Sequence, residues 1–260
     1  MSSALERAFR VLELLSTRPA GCPLSTLATE LDIPLSASHR LLAELIKYGY
    51  VRQNAHDGQY VLTIKLVSVG LSYLSHSGIV DVAQPLLDQL ATESGDLVRL
   101  AVVDGDDLTF VAKAQGATRG LRYDPDMGLS VALSCSAAGH AWLSAMSDDD
   151  AMTLVARKGL GRAEDFGPKA PTSLQQVMTL VKAARRRGYS LITDVFAPGM
   201  SSMAAPVLDT AGRAIGVVTI AGPSVRLTEP RMTALGPALL KTAQQVGHAS
   251  MASSLFKKIA

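Results

Sequence analysis

A chain of 260 residues with 48% hydrophobic and 18% charged residues and a formal net charge of +2 is long enough for two packed domains and too apolar to be disordered. Cys22 and Cys135 lie far apart and form no C-x-x-C pair, so neither a disulfide framework nor a zinc site is indicated, and no metal or cofactor is expected. The start Met1-Ser2-Ser3-Ala4-Leu5 lacks an apolar signal core, and no apolar run approaches the ~18 residues of a membrane span. The expected compartment is therefore the cytoplasm, without a membrane partner.

Ser3-Ala4-Leu5-Glu6 reads as a capping box that opens a helix with Leu5, Ala8, Phe9, Leu12 and Leu15 on its buried side. Leu24, Leu27, Ala28 and Leu31 form a second apolar stripe, and Leu41, Leu42, Leu45 and Ile46 a third. Between these two helices Asp32-Ile33-Pro34 makes a tight turn, because Pro34 blocks continuation of the first helix and suits the start of the next. The third helix begins with Leu35, Ser36, Ala37, Ser38, His39 and Arg40, small and polar where a helix entering a major groove must let base edges approach. Ser36, Ser38 and His39 can bond phosphates or bases, and Arg40 suits a bidentate contact to guanine or phosphate, with an ion pair to Glu44 as the alternative. Val51-Arg52-Gln53 and Gln59-Tyr60-Val61-Leu62 alternate as strands around Asn54-Ala55-His56-Asp57-Gly58, a hairpin from which Arg52 and His56 can reach a sugar-phosphate backbone or stay solvated. Residues 1–61 thus read as a winged helix-turn-helix, and double-stranded DNA as its partner. Seven Lys or Arg stand against six Asp or Glu in the first 75 residues, so one copy neutralises few phosphates and two copies on adjacent half-sites are expected.

Residues 62–78 read as a linker helix, with Leu62, Leu66, Val69, Gly70 and Tyr73 on one side and a break at Ser75-His76-Ser77-Gly78. Residues 79–260 alternate helices and strands: a helix over Ile79 to Ser94, strands over Leu97 to Val103, Leu108 to Gln115 and Gly120 to Tyr123, and a second hairpin joining Ser202 to Leu208 with Ala214 to Ala221. Thr172-Ser173-Leu174-Gln175 reads as a capping box for a helix ending in Arg185-Arg186-Arg187 before Gly188, where cations suit the helix dipole and solvent. A helix over Thr233 to Ala249 follows. The class is α+β, a winged helix-turn-helix followed by a mixed α/β domain. Ser134-Cys135-Ser136-Ala137-Ala138-Gly139-His140 reads as a helix start whose free N–H groups, among small residues, can accept a carboxylate. The same Ser, Cys and His also raise a nucleophile pair and a hydrolase, but no G-x-S-x-G turn and no spaced acid accompany them, so no catalytic residue is assigned.

The segments LERAFRVLELL, LDIPLSASHRLLAELIKYGYVR, DGQYVL, LRYDPDMGLSVALSCSAAGHAWL, RRRGYS and MAAPVLDTAGRAIGVVTIAGP, in that order and spacing, resemble the IclR family of transcriptional regulators over nearly the full length. The resemblance implies a GAF-like C-terminal domain that binds a small-molecule effector, and a homo-oligomer, a dimer that can pair into a tetramer. It implies a recognition helix from Leu35 to Tyr48 and an effector pocket lined by Val131, Ala137, Ala138, Met200, Ser202, Thr219 and Ala221. Leu35, Ala37 and Ser38 replace more usual residues of the recognition helix, Ser202 stands where a Cys is common, His140 where a Lys is usual, and Ile192, Thr193, Asp194 and Val195 where acidic residues are common. A pocket this apolar favours a larger, partly apolar or aromatic ligand over a very small hydroxy or keto acid. Arg122 can bridge a ligand carboxylate or pair with Asp124 or Asp126. The functional expectation is a ligand-responsive regulator of a catabolic operon; the alternative is a DNA-binding protein whose C-terminal domain only oligomerises.

Overall fold

The structure, a computed structural model, describes residues 3–77, 79–125 and 131–250, so Gly78 and Asp126 lie outside the described residues. The chain forms two compact units, Met1–Leu74 and Ser75–Ala260.

In the first unit, α1 (Ala4–Ser16) opens on the expected capping box: Ser3 Oγ accepts from Glu6 N at 3.0 Å while Glu6 Oε2 accepts from Ser3 N at 3.3 Å. Its buried stripe is Ala8, Val11, Leu12 and Leu15 rather than one including Leu5 and Phe9, which are exposed because they lie further round the helix from the small core. The helices α2 (Leu24–Leu31) and α3 (Leu35–Lys47) are joined by Asp32, in the left-handed region at φ 51°, and by Pro34 at the N-cap of α3. Strands β1 (Val51–Gln53) and β2 (Tyr60–Leu62) pair antiparallel with Val51 opposite Leu62. Leu15, Leu27, Leu42, Val51 and Tyr60 close one core beneath all of them.

The helix α4 (Lys65–Ser77) starts later than expected, since Leu62 is held in β2 and Thr63 Oγ1 accepts from Lys65 N at 3.2 Å. It also runs through the expected break at Ser75. On the side that carries Leu66, Val69, Gly70 and Tyr73, Val69 and Tyr73 are exposed.

The second unit contains α5 (Ile79–Ser94), β3 (Leu97–Asp104), β4 (Asp107–Gln115), α6 (Ala137–Ser144), α7 (Asp148–Lys158), α8 (Leu174–Arg187), β5 (Ser190–Thr193), β6 (Met200–Leu208), β7 (Ala214–Pro223) and α9 (Glu229–Ser250). The strands make an antiparallel sheet in the order β4-β3-β7-β6-β5. Helices α5 and α9 cover one face; α6 and α8 pack on the other, with α7 against α8. The expected strand at Gly120 to Tyr123 is irregular, because its carbonyls are taken by side chains instead of a sheet edge: Gln115 Nε2 donates to Tyr123 O and Arg226 Nη1 to Leu121 O, each at 3.0 Å. The α8 cap is Ser173, whose Oγ accepts from Gln176 N at 3.3 Å, one residue later than the box reading placed it. Arg185 is no simple solvated helix end. It donates to Ser144 O at 3.0 Å and Met146 O at 2.8 Å and pairs with Asp148 at 2.6 Å, tying the end of α6 to the start of α7.

Trp142, Leu143, Leu154, Val177, Val181, Ala204 and Val217 form the core under α6. His140 stands among them, 0% exposed, with Nε2 2.7 Å from Ser134 O and Nδ1 without a partner among the described residues. Burial disfavours its charged form and pulls its pKa from 6.5 to about 4. As pH falls below 6.5 the unfolded chain binds a proton that the folded unit refuses, so stability present above that pH is lost progressively toward pH 4. Urea unfolding of the second unit should therefore cost about 2 kcal/mol less at about pH 5 than near pH 7.5, and His140→Gln, which can still donate to Ser134 O, should remove most of that difference.

Candidate nucleic-acid interface and ligand pocket

The first turn of α3 divides by helical geometry. Leu35, Ser36, His39 and Arg40 are exposed, while Ala37 is partly buried against the core. Ser38 is 1% exposed and its hydroxyl faces Ile33 O at 3.5 Å. The expectation that Ser38 meets DNA is corrected: it stands four residues before Leu42 and seven before Leu45, on the face that packs inward. That spacing was readable in the sequence. Arg40 makes no hydrogen bond or ion pair with any described residue, and Glu44, its alternative partner, instead lies 3.8 Å from Lys47. Arg52 is exposed on β1, and His56 is exposed at the hairpin tip. The tip is braced by Gln53 Nε2 donating to Gly58 O at 2.9 Å and by Gln59 N donating to Asp57 Oδ1 at 3.0 Å. An exposed helix start and a stiff hairpin beside it present uncommitted cations to an anionic backbone.

In the second unit a cavity of ≈ 120 Å³ lies between the start of α6 and the sheet face that carries β3, β7 and β6. Val131, Ala137, Ala138, Met200, Ser202, Thr219 and Ala221, expected from the resemblance, all line it. The strands place these residues by pairing: Ser202 lies opposite Ala221 between β6 and β7, and Ala221 opposite Leu97 on β3. Ser136 caps α6 by accepting from Gly139 N at 3.0 Å, which leaves the Ala137 and Ala138 amides in the first turn without an intrahelical acceptor.

Sequence reasoning missed Arg99, Phe110, Tyr123, Ser136, Phe196 and Ser201 as lining residues. Arg99 carried the one usable signal, a cation within the apolar run of β3. Its guanidinium carbon sits 3.6 Å from the centroid of the Phe110 ring and 6.0 Å from that of Tyr123. Burial pulls the Arg99 pKa below its ordinary value, opposed only by the Tyr123 hydroxyl, and burial pushes Tyr123 up. Arg122 pairs with Asp124 at 2.7 Å and lines no part of the cavity.

Ser134, Cys135 and His140 do not assemble a nucleophile pair. Ser134 Oγ donates to Leu160 O at 2.8 Å, Cys135 Sγ faces the same oxygen at 3.7 Å, and His140 is committed to Ser134 O. Burial raises the Cys135 thiol pKa above its ordinary value, the opposite of activation. Among the described residues no helix is long and apolar enough to cross a membrane.

The cavity exists because α6 begins with small residues. A Cβ at Gly139 would lie 2.3 Å from Leu133 O, so Gly139→Ala should lower the urea-unfolding stability of this unit by roughly 1–3 kcal/mol. Gly70→Ala, on exposed α4 with open space around it, should instead be neutral or slightly stabilising.

Residues 4–55 match the family model for the IclR helix-turn-helix domain, and residues 71–248 match that for the bacterial transcriptional regulator IclR C-terminal domain. The transcriptional repressor IclR of Escherichia coli K12 is 29% identical over 244 residues, spanning 94% of this chain and 88% of its own length. The repressor AllR of the same organism is 28% identical over 251 residues, spanning 95% and 90%. An IclR transcriptional regulator from Alicyclobacillus acidocaldarius shares the fold with a TM-score of 0.82 at 21% identity, covering 96% of this chain and 99% of that one. An IclR homologue from Microbacterium hydrocarbonoxydans, solved with 4-hydroxybenzoate, does so with a TM-score of 0.80 at 21% identity, covering 96% and 100%.

Proposed function

Because the chain belongs to the IclR family of bacterial transcriptional regulators, we propose that it controls a catabolic operon in response to a small organic acid or aromatic metabolite. Residues 1–61 bind operator DNA, residues 62–78 connect, and residues 79–260 bind effector and hold the protein as a homodimer or homotetramer. The observation that carries the reading is the ≈ 120 Å³ cavity under α6, a feature that a domain serving oligomerisation alone does not need. A relative crystallised with 4-hydroxybenzoate supports an effector of that size.

At the DNA, Leu35, Ser36, Ala37, His39 and Arg40 form the leading edge of α3, and Arg52 and His56 reach the phosphates from the hairpin. The effector acts by linkage: a ligand that binds one state of the regulatory unit better than another shifts the population, and operator affinity changes by the same coupling free energy.

Gel-shift titration with the full chain and the DNA flanking its own gene tests both halves. Arg40→Ala should weaken operator binding about tenfold or more while leaving the unfolding transition unchanged, since a bidentate contact is worth ~1–3 kcal/mol. Arg52→Ala should weaken binding to all sequences alike and reduce its salt dependence. Operator binding that ignores every candidate metabolite defeats the sensing half; unaltered binding by Arg40→Ala defeats the placement of α3.

A further inference from the structure

Arg99 and Thr219 stand directly opposite each other on β3 and β7, on the sheet face that meets the start of α6. Arg99 Nε and Thr219 Oγ1 are both buried, and neither has a hydrogen-bond partner among the described residues; Thr219 itself is 3% exposed. Two adjacent buried polar groups in one cavity are costly unless something supplies their hydrogen bonds.

The missing partner is anionic. None of the described residues lining the cavity is an Asp or a Glu. Among the described residues, Asp124 holds Lys113 at 2.8 Å and Arg122 at 2.7 Å, and Asp96 holds Arg226. Lys113 lies opposite Arg99 on β4, so the pairing that would most simply neutralise Arg99 has gone to its cross-strand neighbour. The contact of the guanidinium with the Phe110 ring leaves Nε without a partner among the described residues, a donor that suits a carboxylate oxygen. Val131, Ile192, Phe196 and Met200 supply apolar wall for the rest of the ligand. At ≈ 120 Å³ the cavity approaches the roughly 150 Å³ known to take up benzene.

Resting on the effector-binding reading above, we propose that this pocket takes a small organic carboxylate with an apolar body, its carboxylate bound by the Arg99 edge and the Thr219 hydroxyl. Arg99 then selects for ligand charge, and the α6 amides are placed to donate to a second polar group of the ligand.

Isothermal titration of the full chain at fixed ionic strength tests this, with benzoate and phenylacetate as probes, their neutral isosteres benzamide and phenylacetamide, and inorganic phosphate. At least one acid should bind, and about tenfold or more tightly than its amide and than phosphate. Arg99→Gln should abolish that preference, Arg99→Lys should retain part of it, and Thr219→Val should weaken the acid several-fold with little effect on the amide. Should Arg99→Gln fail to fold, the acid–amide ratio of the native chain and the Thr219→Val variant decide. Equal affinity for acid and amide, undiminished acid binding by Arg99→Gln, phosphate binding as tight as that of the acids, or no binding of either acid overturns the assignment. Arg99-dependent binding that leaves operator affinity unchanged would uphold it and defeat the sensing reading, whereas an amide that releases operator DNA would do the reverse.

Discussion

The close approach of α6 to the chain at Leu133 governs the regulatory unit. Ala137, Ala138 and Gly139 open the helix, and the place where a Gly139 side chain would begin lies within 2.3 Å of Leu133 O. Larger residues there would lift the helix from the sheet or fill the space beneath it. Because they are small, the first turn sits low enough to roof a cavity, and its outer amides remain free of intrahelical acceptors. His140 locks the same turn from behind through its bond to Ser134 O, and Arg185 holds the other end of α6 at Ser144 O. The roof is thus fixed at both ends by buried or partly buried polar contacts.

The segment before β3 and the strand itself carry two charges handled in opposite ways. Asp96 is 0% exposed; its Oδ1 accepts from Arg226 Nε at 3.0 Å and Nη2 at 2.5 Å, while Oδ2 has no partner among the described residues. Burial raises the Asp96 pKa and Arg226 opposes the rise. Gly222 makes the room, since a Cβ there would strike Asp96 Oδ1. Arg226 also binds Leu121 O, so this paired charge helps hold the segment that brings Tyr123 to the cavity. Arg99, three residues along, lines the cavity with no carboxylate among the described lining residues. An ion pair that neutralises its charge builds a wall, whereas a cation stacked in that wall keeps its charge uncompensated by any described carboxylate.

The DNA-binding unit obeys a simpler constraint. A core this small engages one stripe of each helix, so every side chain at the start of α3 is assigned inward or outward by its angle alone. Ser38 falls inward and becomes a satisfied core hydroxyl, while Ser36, His39 and Arg40 remain outside. The hairpin is stiffened by its own side-chain bonds instead of by burial.

Local chemistry made much of this legible in advance. The capping box at Ser3, the Pro34 turn, the wing hairpin, the paired strands around Gly105 and Gly212 and the small residues at Ala137 are each set by neighbours within a few residues, and all recur in the structure. The seven resemblance-derived lining residues also gather at one cavity, because strand register fixes which positions share a face. By itself, then, the sequence determined most of the elements, their order and the outward edge of α3 apart from Ser38, but neither α7 nor β5. Only the tertiary structure decided that Arg99 lies against Phe110 opposite Thr219 with its Nε unpartnered among the described residues, that His140 is buried, that Arg185 clamps two helices and that Gly120 to Tyr123 pairs with side chains instead of a strand. Those outcomes depend on which distant group claims each hydrogen bond or charge, and packing settles that competition where spacing along the chain cannot.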